Sequence, residues 1–198
     1  EAEAVINLHI ENSGIADLTG IDSFINIERL ICDHNSLTSL DATNLSHLKD
    51  LSVSFNPITS INTSGLTEFS NLGCSNTPVT DLDFSTNPNF TVLIANFCTA
   101  LTSLNASGTA GPVVDLYGTT NIQHLNLHGC VNTNGDALNY YLSQMGSLQT
   151  LDLAGVQGIT MLSFGGTSLD ITGCTSLQML LVNGPAAANL TDLSSLVN

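Results

Sequence analysis

The feature that constrains this chain most is an internal repeat of about 21 residues with apolar side chains at fixed positions. The clearest copy, residues 30–40, reads L-x-C-x-x-N-x-L-x-x-L. Its leading apolar position recurs at 8, 30, 51, 72 and 93, so successive copies are 22, 21, 21 and 21 residues apart. A single unit of this size cannot bury its own apolar face, so the copies are predicted to stack into a solenoid.

Each repeat begins with an alternating apolar triplet, which is typical of a short β-strand with its flanking residues pointing inward. We therefore predict a β-rich α/β solenoid: a curved, right-handed leucine-rich-repeat superhelix of about eight or nine turns. Its concave side would carry a parallel sheet. Its outer side has room only for turns, 3-10 pieces or a second row of brief strands. Residues 136–145 have helical apolar spacing and are predicted to form one outer helix.

Several segments resemble the leucine-rich repeats of secreted and cell-surface proteins of Bacteroidetes, with some similarity to internalins. These segments are residues 14–21, 37–41, 80–83 and 101–105. The resemblance is strong over residues 6–105 and weak beyond them. It implies a repeat scaffold and a secreted or cell-surface location, but no particular ligand, because such scaffolds carry variable faces.

The 198 residues suit a single domain, which we assign to residues 5–198, regular over 6–105 and irregular over 106–198. In the irregular part, Leu125 and Leu151 are interpreted as further leading positions. Residues 1–4, Glu-Ala-Glu-Ala, resemble an incompletely trimmed secretion leader, and we expect them to be an expression scar. Apolar residues continue to position 197, so we expect the chain to be a fragment of a longer protein.

Charge composition excludes several partners. The chain has 17 acidic and 2 basic residues, for a net charge of −15. Arg29 and Lys49 alone cannot neutralise a phosphate backbone or an anionic membrane surface, so neither nucleic acid nor a membrane is an expected partner. No apolar run approaches the roughly 20 residues of a membrane-spanning helix. We expect a monomer.

The five cysteines are predicted to be buried structural thiols. Cys32 and Cys74 occupy inward strand positions, whereas Cys98, Cys130 and Cys174 occupy the column in which leucine-rich repeats carry Asn or Cys. Disulfide bonds are the alternative interpretation. No pair has C-x-x-C spacing, so zinc binding is not expected.

One column alternates acid and amide: Asp41, Asn62, Asp83 and Asn105. Stacked carboxylates about 5 Å apart would repel one another, whereas an amide N–H can bridge neighbouring carboxylates. We predict an Asx ladder that caps the outer turns, and a row of calcium sites is the alternative.

No catalytic or cofactor motif occurs: the chain contains no G-x-S-x-G, P-loop or G-x-G-x-x-G sequence. His9, Glu11, Asp33 and His34 fall close together on the first two strands and could bind a divalent metal. A solvated polar face is the interpretation we favour, so no metal, cofactor or catalytic residue is predicted.

The favoured function is a non-enzymatic scaffold, extracellular or surface-attached, that binds a protein or glycan on its concave face. Residues at the outward strand positions should contribute little to stability. A structural spacer or adhesin repeat region is the main alternative. Ice binding needs a regular Thr or Asn array, which the concave column lacks, and a hydrolase needs a convergent cluster. The predicted ligand-binding residues are His9, Glu11, Ile31, Asp33, Ser52, Ser54, Phe55, Ser75, Ile94, Asn96, Phe97, Asn126 and His128.

Overall fold

The computed structural model describes residues 2–130, 141–142, 144–156, 161–165, 168–174, 177 and 179–182. It is a parallel β-solenoid of about seven turns. The predicted β-rich leucine-rich-repeat solenoid is therefore confirmed, and the described residues form about seven turns where eight or nine were expected for the whole chain. Two 3-10 helices, Ala2–Ala4 and Ile21–Ser23, lie in the first turn.

The first row of strands forms a continuous six-stranded sheet, named sheet 1. Neighbouring strands pair in parallel and without slippage, so that Leu30 lies opposite Leu51 and Leu72 opposite Leu93. The strands of sheet 1, in spatial order, are β1 (Asn7–His9), β2 (Arg29–Ile31), β4 (Asp50–Ser52), β6 (Asn71–Gly73), β8 (Val92–Ile94) and β10 (Val113–Asp115).

A second row of strands, named sheet 2, lies on the outer side. A second row of brief strands was one of the arrangements predicted for that side. It has two parts, the pair β3-β5 and the five strands β7-β9-β11-β12-β14, all parallel. Its strands are β3 (Ser39–Asp41), β5 (Ser60–Asn62), β7 (Asp81–Asp83), β9 (Ser103–Asn105), β11 (His124–Asn126), β12 (Thr150–Asp152) and β14 (Ser168–Asp170). A further parallel pair consists of β13 (Met161–Phe164) and β15 (Met179–Val182).

The core lies between the two sheets and is built from columns of equivalent residues. The central residue of each sheet 1 strand after β1 is at most 5% exposed, and so are those of β3, β7, β9, β11 and β12 in sheet 2. Three phenylalanines fill the middle: Phe84 stacks on Phe90 with ring centroids 3.8 Å apart, and Phe69 lies 5.7 Å from Phe90. Because each turn buries side chains only against its neighbours, stability accumulates along the stack.

The phase predicted for the second half of the chain is wrong. Leu125 and Leu151 do not lead sheet 1 strands; they are the central residues of β11 and β12 in sheet 2. The sixth sheet 1 strand is instead centred on Val114, 21 residues after Leu93 and directly paired with it. Both rows carry an alternating apolar triplet, but its middle residue is Asp or Asn in every sheet 2 strand and, in sheet 1, only in β10, where it is Asp115. The predicted phase did not use this difference.

The predicted helix over 136–145 falls largely outside the described residues. Within it, Tyr141 and Leu142 are helical. No helix in the part of the chain that the structure describes has the length and apolarity needed to cross a bilayer.

Candidate ligand-binding face

Sheet 1 presents three outward columns to solvent, and most of the predicted binding residues lie in them. The first column is Asn7, Arg29, Asp50, Asn71, Val92 and Val113; the second is His9, Ile31, Ser52, Gly73, Ile94 and Asp115; the third is Glu11, Asp33, Ser54, Ser75, Asn96 and Tyr117. Eleven of the thirteen predicted residues therefore belong to this face or to its edge.

Asn126 and His128 do not belong to this face, which corrects their assignment. Asn126 ends β11 in sheet 2, where it lines a separate groove of about 460 Å³, and its side-chain carbonyl accepts the backbone N–H of His128. Both residues were predicted to lie on sheet 1 because the repeat phase predicted for Leu125 was wrong.

The third column is a hydrogen-bond ladder between turns. The Asp33 carboxylate accepts the backbone N–H of Ser54 at 2.7 Å, and the Ser54 hydroxyl accepts that of Ser75 at 3.1 Å. The Ser75 hydroxyl then accepts the backbone N–H of Asn96 at 3.1 Å. The Asn96 side-chain carbonyl accepts the backbone N–H of Tyr117 at 2.9 Å. These outward side chains therefore also form hydrogen bonds between neighbouring turns, which the expectation of a small contribution to stability did not include.

The residue that follows this column adopts the left-handed conformation in every turn of sheet 1. Asn12, His34, Asn76 and Gly118 have φ of 52°, 55°, 57° and 73°, and residues of these types adopt that conformation more readily than others. Phe55 and Phe97 have φ of 58° and 57° at equivalent positions. The left-handed conformation costs about 1–2 kcal/mol for a residue with a bulky side chain.

The aromatic side chains at this position and beside it form one border of sheet 1, which we call the aromatic edge: His34, Phe55, Phe97 and Tyr117. The His34 and Phe55 rings stack with centroids 4.3 Å apart and planes within 7°. Phe97 and Tyr117 meet edge to face at 5.3 Å. Phe55, Phe97 and Tyr117 are 49%, 48% and 52% exposed, so they present large apolar area to solvent.

A shallow groove of about 380 Å³ crosses the middle of sheet 1. Gly73 makes it, because the absence of a side chain in β6 leaves a depression between Ser52 and Ile94 in the neighbouring strands. The apolar wall is formed by Ile31, Val92 and Ile94.

The polar wall of this groove is a chain of three first-column side chains. Arg29 donates from Nε and Nη2 to one carboxylate oxygen of Asp50, at 3.1 and 2.8 Å, and the Asn71 amide donates to the other oxygen. The one arginine of this face is therefore already paired, which leaves the groove mixed in character rather than basic.

The cluster of His9, Glu11, Asp33 and His34 is only partly assembled. His9 Nδ1 lies 3.2 Å from Glu11 Oε1. The Glu11 backbone N–H and then His9 lower the pKa of the Glu11 carboxyl. Asp33 points instead to Ser52 and Ser54, and His34 stacks on Phe55. Within the described ranges, no group of three or more His, Cys, Asp or Glu side chains could hold a metal ion.

On sheet 2, the third residue of every strand is Asp or Asn, and each side chain accepts the backbone N–H two residues later, at 2.9–3.2 Å. The predicted Asx ladder is therefore present, and Asn105 donates to Asp83 at 3.1 Å. The Thr43 backbone N–H, the Thr43 hydroxyl and the Asn62 amide lower the pKa of Asp41. The alternation ends at Asn105, which is followed by Asn126, Asp152 and Asp170.

All five cysteines are free and buried, as predicted. The thiols of Cys98, Cys130 and Cys174 donate to carbonyls of the preceding turn, Cys74, Ala106 and Leu153, each at 3.0 Å. Burial raises the pKa of Cys32 to about 12. The hydrogen bond from Cys98, together with burial, raises the pKa of Cys74 well above its ordinary value. Burial likewise raises the pKa of Cys130 and Cys174, whereas the hydrogen bond with Cys74 lowers the pKa of Cys98 to about 6. The five thiols are therefore buried core groups.

Sequence analysis missed Val113, Asp115 and Tyr117, which complete the face in its sixth strand. Asp115 accepts hydrogen bonds from Asn96 Nδ2 at 2.9 Å and from the Tyr141 hydroxyl at 2.8 Å. The available signal was Val114, which keeps the 21-residue spacing from Leu93.

The repeat, the two parallel rows of strands and the inter-turn ladders together define a leucine-rich-repeat solenoid. No protein-family model and no curated protein matches the sequence. Among solved structures, the chain is similar to the functional domain of InlJ from Listeria monocytogenes, which includes a cysteine ladder. The identity is 19% and the TM-score 0.42, over 93% of this chain and 54% of that one.

Two further structures are similar at comparable levels. Internalin C2 from Listeria monocytogenes is 21% identical with a TM-score of 0.41, over 100% of this chain and 78% of that one. A complex of TLR13 with ssRNA13 is 21% identical with a TM-score of 0.37, over 84% of this chain and 30% of that one. The chain thus spans about half of the InlJ structure and less of TLR13.

Proposed function

We propose that this protein is a non-enzymatic binding scaffold, secreted or held at a cell surface, that recognises a protein or glycan through sheet 1. The observation that carries the proposal is the difference between the two faces. Exposed large apolar side chains in the middle of the described solenoid, Phe55, Ile94, Phe97, Val113 and Tyr117, belong to the sheet 1 side. Apolar area concentrated on one face of a soluble protein is typical of an interaction site.

The groove at Gly73 also supports a binding site on the sheet 1 face. It joins an apolar wall, Ile31 and Ile94, to the polar chain of Arg29, Asp50 and Asn71. Binding sites combine apolar walls with a few placed polar groups in this way. InlJ and internalin C2 share the repeat architecture, and a binding role for this chain is consistent with that of a leucine-rich-repeat scaffold.

Replacing Gly73 with leucine tests the proposal, because the new side chain would fill the groove. An added Cβ would meet only side-chain atoms, the Ser52 hydroxyl at 3.0 Å, Ser52 Cβ at 3.7 Å and the Ser54 hydroxyl at 3.8 Å, so the strand itself can remain. Gly146→Leu is the matched control, since a Cβ there meets nothing within 4 Å. A glycan array and a displayed peptide library supply the ligands. We expect a ligand whose affinity falls at least about tenfold, or 1.4 kcal/mol, in Gly73→Leu alone.

Equal binding by wild type and Gly73→Leu would remove the groove from the site. The absence of any ligand in both screens would favour the alternative role as a structural spacer or adhesin repeat region.

A second candidate, ice binding, is favoured by one observation on sheet 2. The residue before each of the first four strands of that sheet is threonine: Thr38, Thr59, Thr80 and Thr102. This column is regular, unlike the second column of sheet 1. Thermal hysteresis, the gap between the melting and freezing temperatures of an ice crystal in the protein solution, measures the activity directly. A Thr59→Lys variant should lose any activity that depends on this array.

A further inference from the structure

Two positions of the aromatic edge place phenylalanine in an unfavourable left-handed backbone, although the turn itself does not require this residue type. Asn12, Asn76 and Gly118 occupy the same left-handed position in other turns of the same sheet. Phe55 and Phe97 adopt that backbone although bulky side chains disfavour it, and half of each side chain is exposed. Each ring packs on neighbouring side chains, Phe55 on His34 and Phe97 on Tyr117, and still leaves about half of its side chain exposed. Backbone strain retained with exposed apolar rings is typical of a binding site.

Further exposed apolar side chains lie on the strands that precede two of these aromatic residues. Ile94 and Val113, 44% and 49% exposed, belong to β8 and β10, three residues before Phe97 and four residues before Tyr117. Phe55 and Phe97 are two turns apart, or roughly 10 Å, because neighbouring strands are about 4.8 Å apart. A ligand would therefore find two apolar anchor points along one border of the sheet.

The charges beside these anchors are acidic. Glu11 and Asp33 stand next to the His34 end of the edge, and Asp115 stands next to Tyr117. Among the described residues, no Lys or Arg lies within ion-pair distance of any of the three, and Arg29 is paired with Asp50. The net charge of −15 adds to the local field. The electrostatic complement of this surface is a cation-rich one.

A glycan fits this border poorly. Sugar rings stack on open aromatic faces, but His34 covers one face of Phe55, and an added Cβ on Gly118 would lie 2.6 Å from the Phe97 ring.

We propose that the aromatic edge docks a protein segment in which apolar side chains are flanked by Lys or Arg. The apolar groups contact Phe55, Phe97, Ile94 and Val113, and the cations lie over Glu11, Asp33 and Asp115. The inference rests on the proposed binding function and names the partner chemistry for that face.

Two peptide libraries of equal apolar content, one charged with Lys and Arg and the other with Asp and Glu, provide the probe. The test variant is Phe55→Asn/Phe97→Asn, which installs the residue type that Asn76 carries in the same column. The control, Ile6→Asn/Ile25→Asn, removes two side chains that are 50% and 48% exposed elsewhere. Circular dichroism confirms that both variants fold.

We expect peptides from the basic library to bind wild type and the control equally, and to bind Phe55→Asn/Phe97→Asn at least tenfold more weakly. Glu11→Gln/Asp33→Asn should weaken the same peptides and reduce their salt dependence. Asp81→Asn/Asp83→Asn, an equal change of charge on sheet 2, should not.

Binding that is insensitive to Phe55→Asn/Phe97→Asn overturns the inference, as does equal binding of the acidic library or the absence of peptide binding. Glycan binding that Phe55→Asn/Phe97→Asn abolishes would also overturn it. A glycan lost in Gly73→Leu but retained in Phe55→Asn/Phe97→Asn would leave the scaffold function intact while removing this inference.

Discussion

The hydroxyl of Ser75 accepts the backbone N–H of Asn96 from the next turn, with the two atoms 3.1 Å apart. Ser75 is thus both an outward residue of the candidate face and a structural link between turns. The same holds for Ser54 and Asn96. We therefore expect substitutions in this column to change the stability of the solenoid as well as its surface.

Ser75→Ala should destabilise the protein by about 1–3 kcal/mol, because the half-buried N–H of Asn96 loses its acceptor. Ser52→Ala is the control, since the Ser52 hydroxyl donates to Asp33 and accepts no described backbone N–H. Urea unfolding gives both free energies. A cost for Ser75→Ala no larger than that for Ser52→Ala would show that the ladder does not stabilise the stack.

Gly118→Ala should cost more than Gly65→Ala. Both glycines have left-handed backbones, with φ of 73° and 77°, so alanine at either position costs about 1 kcal/mol in backbone conformation. At Gly65 the added Cβ meets nothing, whereas at Gly118 it would lie 2.6 Å from the Phe97 ring. Thermal unfolding measures the difference, and adding Phe97→Ala should remove it. Equal costs for the two alanine variants would contradict the described position of Phe97.

Asn62→Asp should lower stability by about 1 kcal/mol near neutral pH, because position 62 pairs directly with Asp41 and like charges oppose there. The exchange Asp41→Asn/Asn62→Asp restores one acid and one amide and should recover the loss. The loss should also vanish as pH falls below about 4, where the carboxylates protonate. Asp83 contributes less than the sequence column predicts, since β5 and β7 are not hydrogen-bonded neighbours.

Calcium addition separates the two interpretations of that column. Stability of Asn62→Asp that rises above wild type only with added calcium would favour the row of calcium sites over the Asx ladder.

All five cysteines should resist alkylation in the native protein and react completely after denaturation without reductant. The reason is that each thiol is at most 2% exposed, so that even Cys98, whose pKa is lowered to about 6 by the hydrogen bond with Cys74, is shielded from the reagent. Mass spectrometry counts the labels. A mass two hydrogens short for any pair, with no labelling, would demonstrate a disulfide bond instead.

The sequence by itself determined the repeat, the parallel stacking and the buried columns. The spacing of Leu30, Leu51, Leu72 and Leu93 leaves no other way to bury one apolar face per unit. It also determined the Asx ladder and the buried thiols, because these depend on residue type at a repeated position. Such properties are local to one turn and its neighbour, so the pattern along the chain records them directly.

Only the tertiary structure decided which row each later strand joins and which outward groups are free. Leu93 and Leu125 both begin an alternating apolar triplet, but pairing in space puts one in sheet 1 and the other in sheet 2, and Asn126 and His128 follow Leu125. Likewise, Ser75 is an outward residue in the sequence pattern, yet its hydroxyl is already bonded to Asn96. Strand partners and inter-turn hydrogen bonds join residues about 21 positions apart, and their geometry is fixed only when the turns stack.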